Sequence, residues 1–313
     1  MGVGTFISVG RSLETAVQRV ERAEELGYES AYVTHIAGRD SLTVLAAYAA
    51  RSERIRLGTG VIPIYNRTPV AMAQTAATID EWSGGRLTLG IGVSHRVTVE
   101  NWYGQEIGKP VAEMREYVSV LRALLAGEEP PQGGKWPTAF RFMGYEPRAD
   151  LPIYVSGLSP KMLQLAGEVA DGTVLWLCNP DYVEQVVVPA VRQGRERAGK
   201  SLDGFDIVAA VPSAVTDAPG EAFEKMRGDL VPYFHLPFYR AMLERSGFSA
   251  DVEAGVASDD FMRTLMAVGS AEQATATVRR YLDAGATSPC IGAVPGTDFN
   301  GTLEALAPLA ASA

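Results

Sequence analysis

The chain has 313 residues, 47% hydrophobic and 21% charged, which excludes a disordered chain and leaves room for one large barrel domain or two smaller domains. Its 28 Lys and Arg against 37 Asp and Glu give a net charge of −9, which argues against indiscriminate binding to nucleic acid or to an anionic membrane. The N-terminal residues lack a signal-peptide pattern and no apolar run reaches membrane-spanning length, so the expectation is a soluble, cytoplasmic protein.

Short β-branched runs alternate with helical patterns along the whole chain. Gly4–Val9 reads as a strand, followed by a helix over Leu13–Leu26 with Ser12 as its N-cap and Gly27 just past its end. Ala31–Thr34 is a second strand and Leu42–Arg51 a second helix. Arg54–Thr59 is a third strand, and Pro69–Trp82 a third helix with Pro69 in its first turn. Arg86–Ile91 is a fourth strand, followed after a long loop by a helix over Val111–Ala126. The second half repeats this rhythm: strand Pro152–Val155 and helix Pro160–Ala170, strand Thr173–Leu177 and helix Asp181–Ala198, strand Phe205–Val211 and a helical start at Glu221–Gly228. After an irregular segment come a helix over Ala271–Ala284, a strand over Pro289–Val294 and a last helix over Leu303–Ala311.

Strands separated by helices cannot pair as hairpins, so they are expected to be parallel. Eight such units in this length suit a closed α/β (β/α)₈ TIM barrel better than an open sheet. The strands are nearly all apolar, as burial on both faces requires. No boundary linker interrupts the series, so residues 1–313 read as a single barrel domain. The Pro- and Gly-rich stretch Glu128–Pro137 reads as a surface loop. Two insertions stand out, Ser94–Pro110 after strand four and Leu230–Val268 after strand seven, both where a barrel builds its binding face.

In such a barrel the functional groups come from the C-terminal ends of the strands. Two of the three histidines fall there: His35 closes strand two and His95 closes strand four. Two imidazoles facing one pocket point to proton chemistry near neutral pH, with either as the donor. His235 sits in Val231–Phe238, a segment that reads equally as a stiff aromatic lid wall or as a partly buried loop. Trp102, Tyr103 and Trp176 offer faces that could stack on a ring system or simply pack the core. Tyr233 belongs to the same lid segment. The glycines of Gly90–His95 suggest close approach of backbone to a flat ligand. That run is no dinucleotide fingerprint, because it lacks the third glycine and leads into a loop. The turn Ser156–Lys161 enters a helix and could seat an anion, or be an ordinary capped turn with Ser159 as N-cap. Cys178 and Cys290 form no CxxC pair, there is no HExxH, and neither a disulfide framework nor a zinc site is expected.

Several runs together carry a family pattern: GYESAYV at Gly27–Val33, IRLGTGV at Ile55–Val61, RTP at Arg67–Pro69, AQTAATIDEWS at Ala73–Ser83, GRLTLGIG at Gly85–Gly92 and MREYVSVLRALLAG at Met114–Gly127. They continue with PIYVS at Pro152–Ser156 and LAGEVADG at Leu165–Gly172. In this order the chain resembles the luciferase-like monooxygenase superfamily, and within it the oxidoreductases that use coenzyme F-420, an 8-hydroxy-5-deazaflavin. The resemblance implies a (β/α)₈ barrel with a tricyclic ring in its mouth, and a bulge with a non-prolyl cis peptide at Gly60–Val61. It implies cofactor contacts at Thr59, Gly60, Val61, Gly92, Val93, Ser94, Ser156, Gly157, Leu158 and Ser159, and catalytic roles for His35 and His95. Trp102, Trp176, Tyr233 and His235 would face the substrate. Relatives often carry Asp where Thr34 stands, and in the sugar-phosphate branch a Glu where His95 stands, a departure that speaks against a sugar-phosphate substrate.

The implied reaction is hydride transfer between the reduced deazaflavin and a small molecule with an activated C=C, C=N or C=O, run as a reductase. The alternatives are an FMN-dependent monooxygenase and a non-catalytic ligand binder of the same fold. Neither nucleic acid nor membrane is an expected partner. A homodimer is, by family analogy and from the Ala-rich helices Leu42–Arg51 and Pro69–Trp82.

Overall fold

A computed structural model of the chain describes residues 2–311. Ten strands are present: β1 (Gly4–Phe6), β2 (Ser30–Val33), β3 (Arg56–Thr59), β4 (Ile62–Pro63), β5 (Leu87–Gly92), β6 (Ile153–Val155), β7 (Gly172–Leu175), β8 (Asp206–Val215), β9 (Ala267–Gly269) and β10 (Ser288–Ala293). Every pairing is parallel. Eight of them form a ring, β1–β2–β3–β5–β6–β7–β8–β10, which closes because β10 pairs with both β8 and β1. The two short strands, β4 and β9, pair with the upper ends of β5 and β8. The expected (β/α)₈ barrel is therefore present.

The helices between the strands follow their local signals. Ser12 caps Leu13–Glu25 by accepting from the Thr15 N–H, and Thr68 and Pro69 start Pro69–Trp82. The capping box Ser270/Gln273 starts Ala271–Asp283. The expected helix over Asp181–Ala198 is a composite instead: a short turn Pro180–Tyr182, a π-helical stretch Val183–Val187, and an α-helix Val188–Arg197. Both segments expected to be irregular contain helices. Arg96–Tyr103 lies in the first. The second holds a 3₁₀ turn Val231–His235 and the helices Pro237–Arg245, Ser249–Ala254 and Asp259–Leu265. Among the described residues no helix is long and apolar enough to cross a membrane.

The barrel's N-terminal end is closed by a polar plug. The buried Asp206 carboxylate accepts from Tyr154 Oη at 2.9 Å, from Ser288 Oγ at 2.7 Å and from Thr287 Oγ1, with Arg56 at 3.8 Å. Tyr32, Val174, Val208 and Cys290 pack over it. A buried carboxylate is tolerable only when paired in this way. The chemistry is thus left to the opposite end.

Between β3 and β4 the chain bulges. Gly58 pairs with Thr88 and Ile62 with Ile91, so three residues on one strand (Thr59, Gly60, Val61) span two on the other (Leu89, Gly90). The Gly60–Val61 peptide within it is cis. Thr59 repairs the interrupted ladder: its hydroxyl donates to the Gly90 carbonyl at 2.7 Å and accepts from the Gly90 N–H at 2.9 Å.

Candidate active site

All eight barrel strands send their C-terminal ends into one cavity of about 590 Å³. Its floor is built from Phe6–Ser8 after β1, Thr34–Ile36 after β2, Gly60, Val61 and Pro63 at the bulge, Gly92–His95 after β5 and Ser156–Ser159 after β6. Val174–Trp176, Ala210–Pro212 and Gly292–Ala293 complete the ring. A further wall comes from outside the barrel: Tyr103, Pro110 and Val111 from the segment after β5, and Met226, Pro232, Tyr233, Leu236, Phe238 and Tyr239 from the segment after β8.

The floor is thin because glycines make it. A methyl at Gly92 would lie 2.7 Å from Val61 Cγ2, one at Gly60 would lie 2.4 Å from the Phe6 ring, and one at Gly157 would lie 2.9 Å from Met162 Cγ. Glycine at these positions leaves room for the Val61, Phe6 and Met162 side chains to lie directly against the backbone. Ser94 turns the chain out of β5 with a left-handed φ of 65°, and Leu177 does the same after β7 with φ 61°. Such conformations cost non-glycine residues roughly 1–2 kcal/mol and tend to mark sites where a side chain must be aimed. The Ser156–Ser159 turn is pinned by Tyr182, whose hydroxyl donates to the Leu158 carbonyl at 2.7 Å, and by Ser159 Oγ, which accepts from the Met162 N–H.

The two histidines differ in what is left for a ligand. His35 has both ring nitrogens engaged within the chain. Nδ1 lies 3.1 Å from Ser41 Oγ and 3.3 Å from the Ser41 backbone N–H, and Nε2 lies 2.7 Å from Asn66 Nδ2. Asp40 stands 3.9 Å away and is itself held by Arg67. Burial pulls the His35 pKa below its ordinary value of 6.5, Asp40 opposes that, and Arg67 adds to it. The His95 ring makes no hydrogen bond to any described residue, while its backbone carbonyl accepts from the Val99 N–H. Its ring packs against Tyr239, centroids 5.5 Å apart, and burial alone lowers its pKa. An aromatic chain extends from it, Tyr239 to Tyr233 at 4.7 Å and Tyr233 to Trp176 at 6.3 Å. The buried Trp176 indole N–H has no acceptor at bonding geometry, although the Tyr233 phenol is near enough to feel it.

The structure brings most of the sequence-derived candidates together. His35, His95, Gly60, Val61, Gly92, Val93, Ser94, Ser156, Gly157, Leu158, Ser159, Trp176 and Tyr233 all line the cavity. Three do not. Thr59 is fully buried behind the wall, its hydroxyl consumed by Gly90. Trp102 is 55% exposed: one position along the helix Arg96–Tyr103 rotates the side chain by roughly 100°, and Tyr103 takes the inward place. His235 is exposed at the end of its 3₁₀ turn, while Phe234 packs against Phe261 and Tyr233 faces inward. Sequence reasoning did not single out Tyr239, Phe238 and Leu236, which lie in the segment expected to be irregular, nor Met226, which lies in the expected helical start Glu221–Gly228. The aromatic content of Tyr233–Tyr239 was the available signal. It also missed Asn66 and Ser41, the partners of His35.

The cavity suits a planar, uncharged ring. Its floor is largely backbone, its walls are apolar and aromatic, and the His95 imidazole is available as a donor. Residues 1–288 match the luciferase-like monooxygenase family model. The chain belongs to the luciferase-like monooxygenase family. It is 32% identical over 307 residues to a protein named as a coenzyme F-420-dependent oxidoreductase from Mycobacterium tuberculosis, covering 86% of this chain and 87% of that one. It is 35% identical over 237 residues to a 5,10-methylenetetrahydromethanopterin reductase from Archaeoglobus fulgidus, covering 74% and 69%. In fold it is similar to the coenzyme F-420-dependent tetrahydromethanopterin reductase from Methanopyrus kandleri, with a TM-score of 0.83 at 24% identity over 98% of this chain and 97% of that one.

Proposed function

We propose that this family member is a coenzyme F-420-dependent oxidoreductase that works as a reductase on a small organic substrate, with His95 as the proton partner. The observation that carries the reading is the pairing of an uncharged, glycine-floored cavity at the barrel mouth with one imidazole left free inside it. The relatives named for this coenzyme over most of the chain's length support the choice of a deazaflavin over FMN.

When bound, the reduced deazaflavin supplies or takes back a hydride. The chain's own part is to hold, orient and protonate. Gly60, Val61, Gly92 and Val93 would hold the ring, and the Ser156–Ser159 turn would border it. Tyr233, Tyr239 and Trp176, with the partly exposed Phe238, supply the aromatic lining that would shield the reacting atoms. His95 delivers a proton to the substrate atom that does not receive hydride, and takes it back in the reverse direction. His35, with both nitrogens committed to Ser41 and Asn66, positions the β2 end and is not the donor. Two-fold pairing through the helices Ser41–Ala49 and Pro69–Trp82 belongs to the same reading.

The deciding experiment titrates the protein with oxidised deazaflavin and, separately, with FMN, following the fluorescence of its tryptophans. Saturable quenching by the deazaflavin alone is expected. Tight binding of FMN with none of the deazaflavin would replace this reading by the FMN-dependent monooxygenase.

A further inference from the structure

The substrate half of the cavity carries a second message, which rests on the coenzyme reading above. Among the described residues that line the cavity there is no Asp, Glu, Lys or Arg. Two arginines flanking it are already paired elsewhere. Arg96, next to His95, donates to Glu100 at 2.5 Å and to the Ile107 carbonyl at 3.2 Å. Arg67 is held by Asp40 behind His35. An ionised group brought into this space would lose its water and meet no counter-charge, an arrangement proteins avoid. What the walls offer instead is flat aromatic surface from Trp176, Tyr233, Tyr239 and Phe238, interrupted by one donor, the His95 ring.

We infer that the substrate is a neutral, ring-bearing ketone, saturated or conjugated, whose carbonyl oxygen meets His95 and whose body is sandwiched by the aromatic wall. In the reduction, the carbonyl carbon or the conjugated β-carbon gains hydride from the reduced deazaflavin, which is thereby oxidised by two electrons. The oxygen gains a proton relayed from solvent through the His95 ring, which begins and ends the step as neutral imidazole. The product is the alcohol from a saturated ketone. From a conjugated one it is the enol, which relaxes to the saturated ketone. Carboxylated or phosphorylated substrates are outside this class.

The test compares benzylideneacetone with its para-carboxylate analogue on the deazaflavin-loaded enzyme, with coenzyme binding and the binding of each ketone measured alongside turnover. The neutral compound is expected to have a kcat/KM at least about 100-fold higher, which corresponds to ~2.7 kcal/mol of transition-state free energy. An analogue used within tenfold of the neutral compound, or better, overturns the inference, as does failure of the neutral compound to bind while the coenzyme does. Absence of coenzyme binding with the neutral ketone still bound and the carboxylate excluded refutes the coenzyme reading instead and leaves the cavity's preference standing.

Discussion

Replacing Gly92 by Ala tests the floor of the cavity directly. The added methyl would sit 2.7 Å from Val61 Cγ2 and 3.5 Å from Ser156 Cβ. The second contact is only slightly tight, but the first falls about 1 Å short of a comfortable carbon–carbon separation. Something must therefore move, and it is Val61, a β-branched side chain with little χ1 freedom of its own. Overpacking of this kind costs about 1–3 kcal/mol. Val61 lines the cavity, so its open direction is into the space assigned to the coenzyme ring. Gly92→Ala should fold, melt a few degrees lower and bind the deazaflavin about tenfold more weakly or worse, each tenfold being ~1.4 kcal/mol. A paired Val61→Ala and Gly92→Ala variant should regain part of both losses, since the two sites are in contact and their effects are not additive. Gly90→Ala gives the contrast, because its methyl would lie 2.0 Å from the Thr59 carbonyl oxygen, which is backbone and cannot swing away. That variant should be severely destabilised. The measurements are thermal or urea unfolding and fluorescence titration of the coenzyme. Normal coenzyme affinity in a Gly92→Ala protein that is clearly destabilised would mean that no ring lies against Val61.

His95→Ala should retain coenzyme affinity and lose roughly 10²–10⁴-fold in kcat, whereas turnover near the wild-type rate would remove His95 from the mechanism. His35→Ala should act mainly on stability, by about 1–3 kcal/mol, because it strands Ser41 and Asn66; a kcat loss as deep as that of His95→Ala with unchanged melting would contradict its positioning role. Both histidines have folded pKa values below the 6.5 of the unfolded chain, so the folded state binds fewer protons. Their contribution to stability is full above pH 6.5, falls as pH drops through the depressed folded values and then levels off. Melting curves across that window should show the loss, and His95→Gln should reduce its slope. Tyr182→Phe frees the Leu158 carbonyl and should cost about 1 kcal/mol while loosening the Ser156–Ser159 turn, read as weaker coenzyme binding.

The barrel was legible in the sequence because its signals are local. The N-caps Ser12, Thr68 and Ser159, the prolines after the last two, and the apolar runs of the buried strands each mark an element end or a buried face without reference to the rest of the chain. The strand ends then located most of the cavity floor, since in a closed parallel barrel they all converge on one face. Three things needed coordinates. Which of Trp102 and Tyr103 faces inward depends on helix rotation, in a segment without clear periodicity. Thr59 repairs the ladder beside a bulge, so its hydroxyl is spent on Gly90 rather than offered to a ligand. The helices between Val231 and Leu265 are short and close on one another through contacts such as Phe248–Phe261 and Phe234–Phe261, which no sequence window contains.

The same division explains why the two histidines, equivalent as strand ends, are not equivalent in chemistry. His35 is enclosed by elements of the barrel itself: Ser41 begins the helix after β2, and Asn66 lies in the loop after β4. Its nitrogens are taken by neighbours that the fold fixes in place. His95 begins the first insertion and meets its neighbour Tyr239 from the second. Tyr239 is buried, with its phenol held well above its ordinary pKa chiefly by that burial, so it stays neutral and offers the imidazole no charge partner. A free imidazole under an aromatic roof can reach a proton acceptor only on something that enters from outside. On the proposed reading the barrel would fix where a ring lies, and the two insertions together would fix which molecule is placed over it and where its proton goes. Exchanging the Pro232–Tyr239 segment should accordingly alter substrate choice while leaving deazaflavin affinity within a few-fold. A parallel loss of both would show that the coenzyme, rather than the substrate, is what the roof holds.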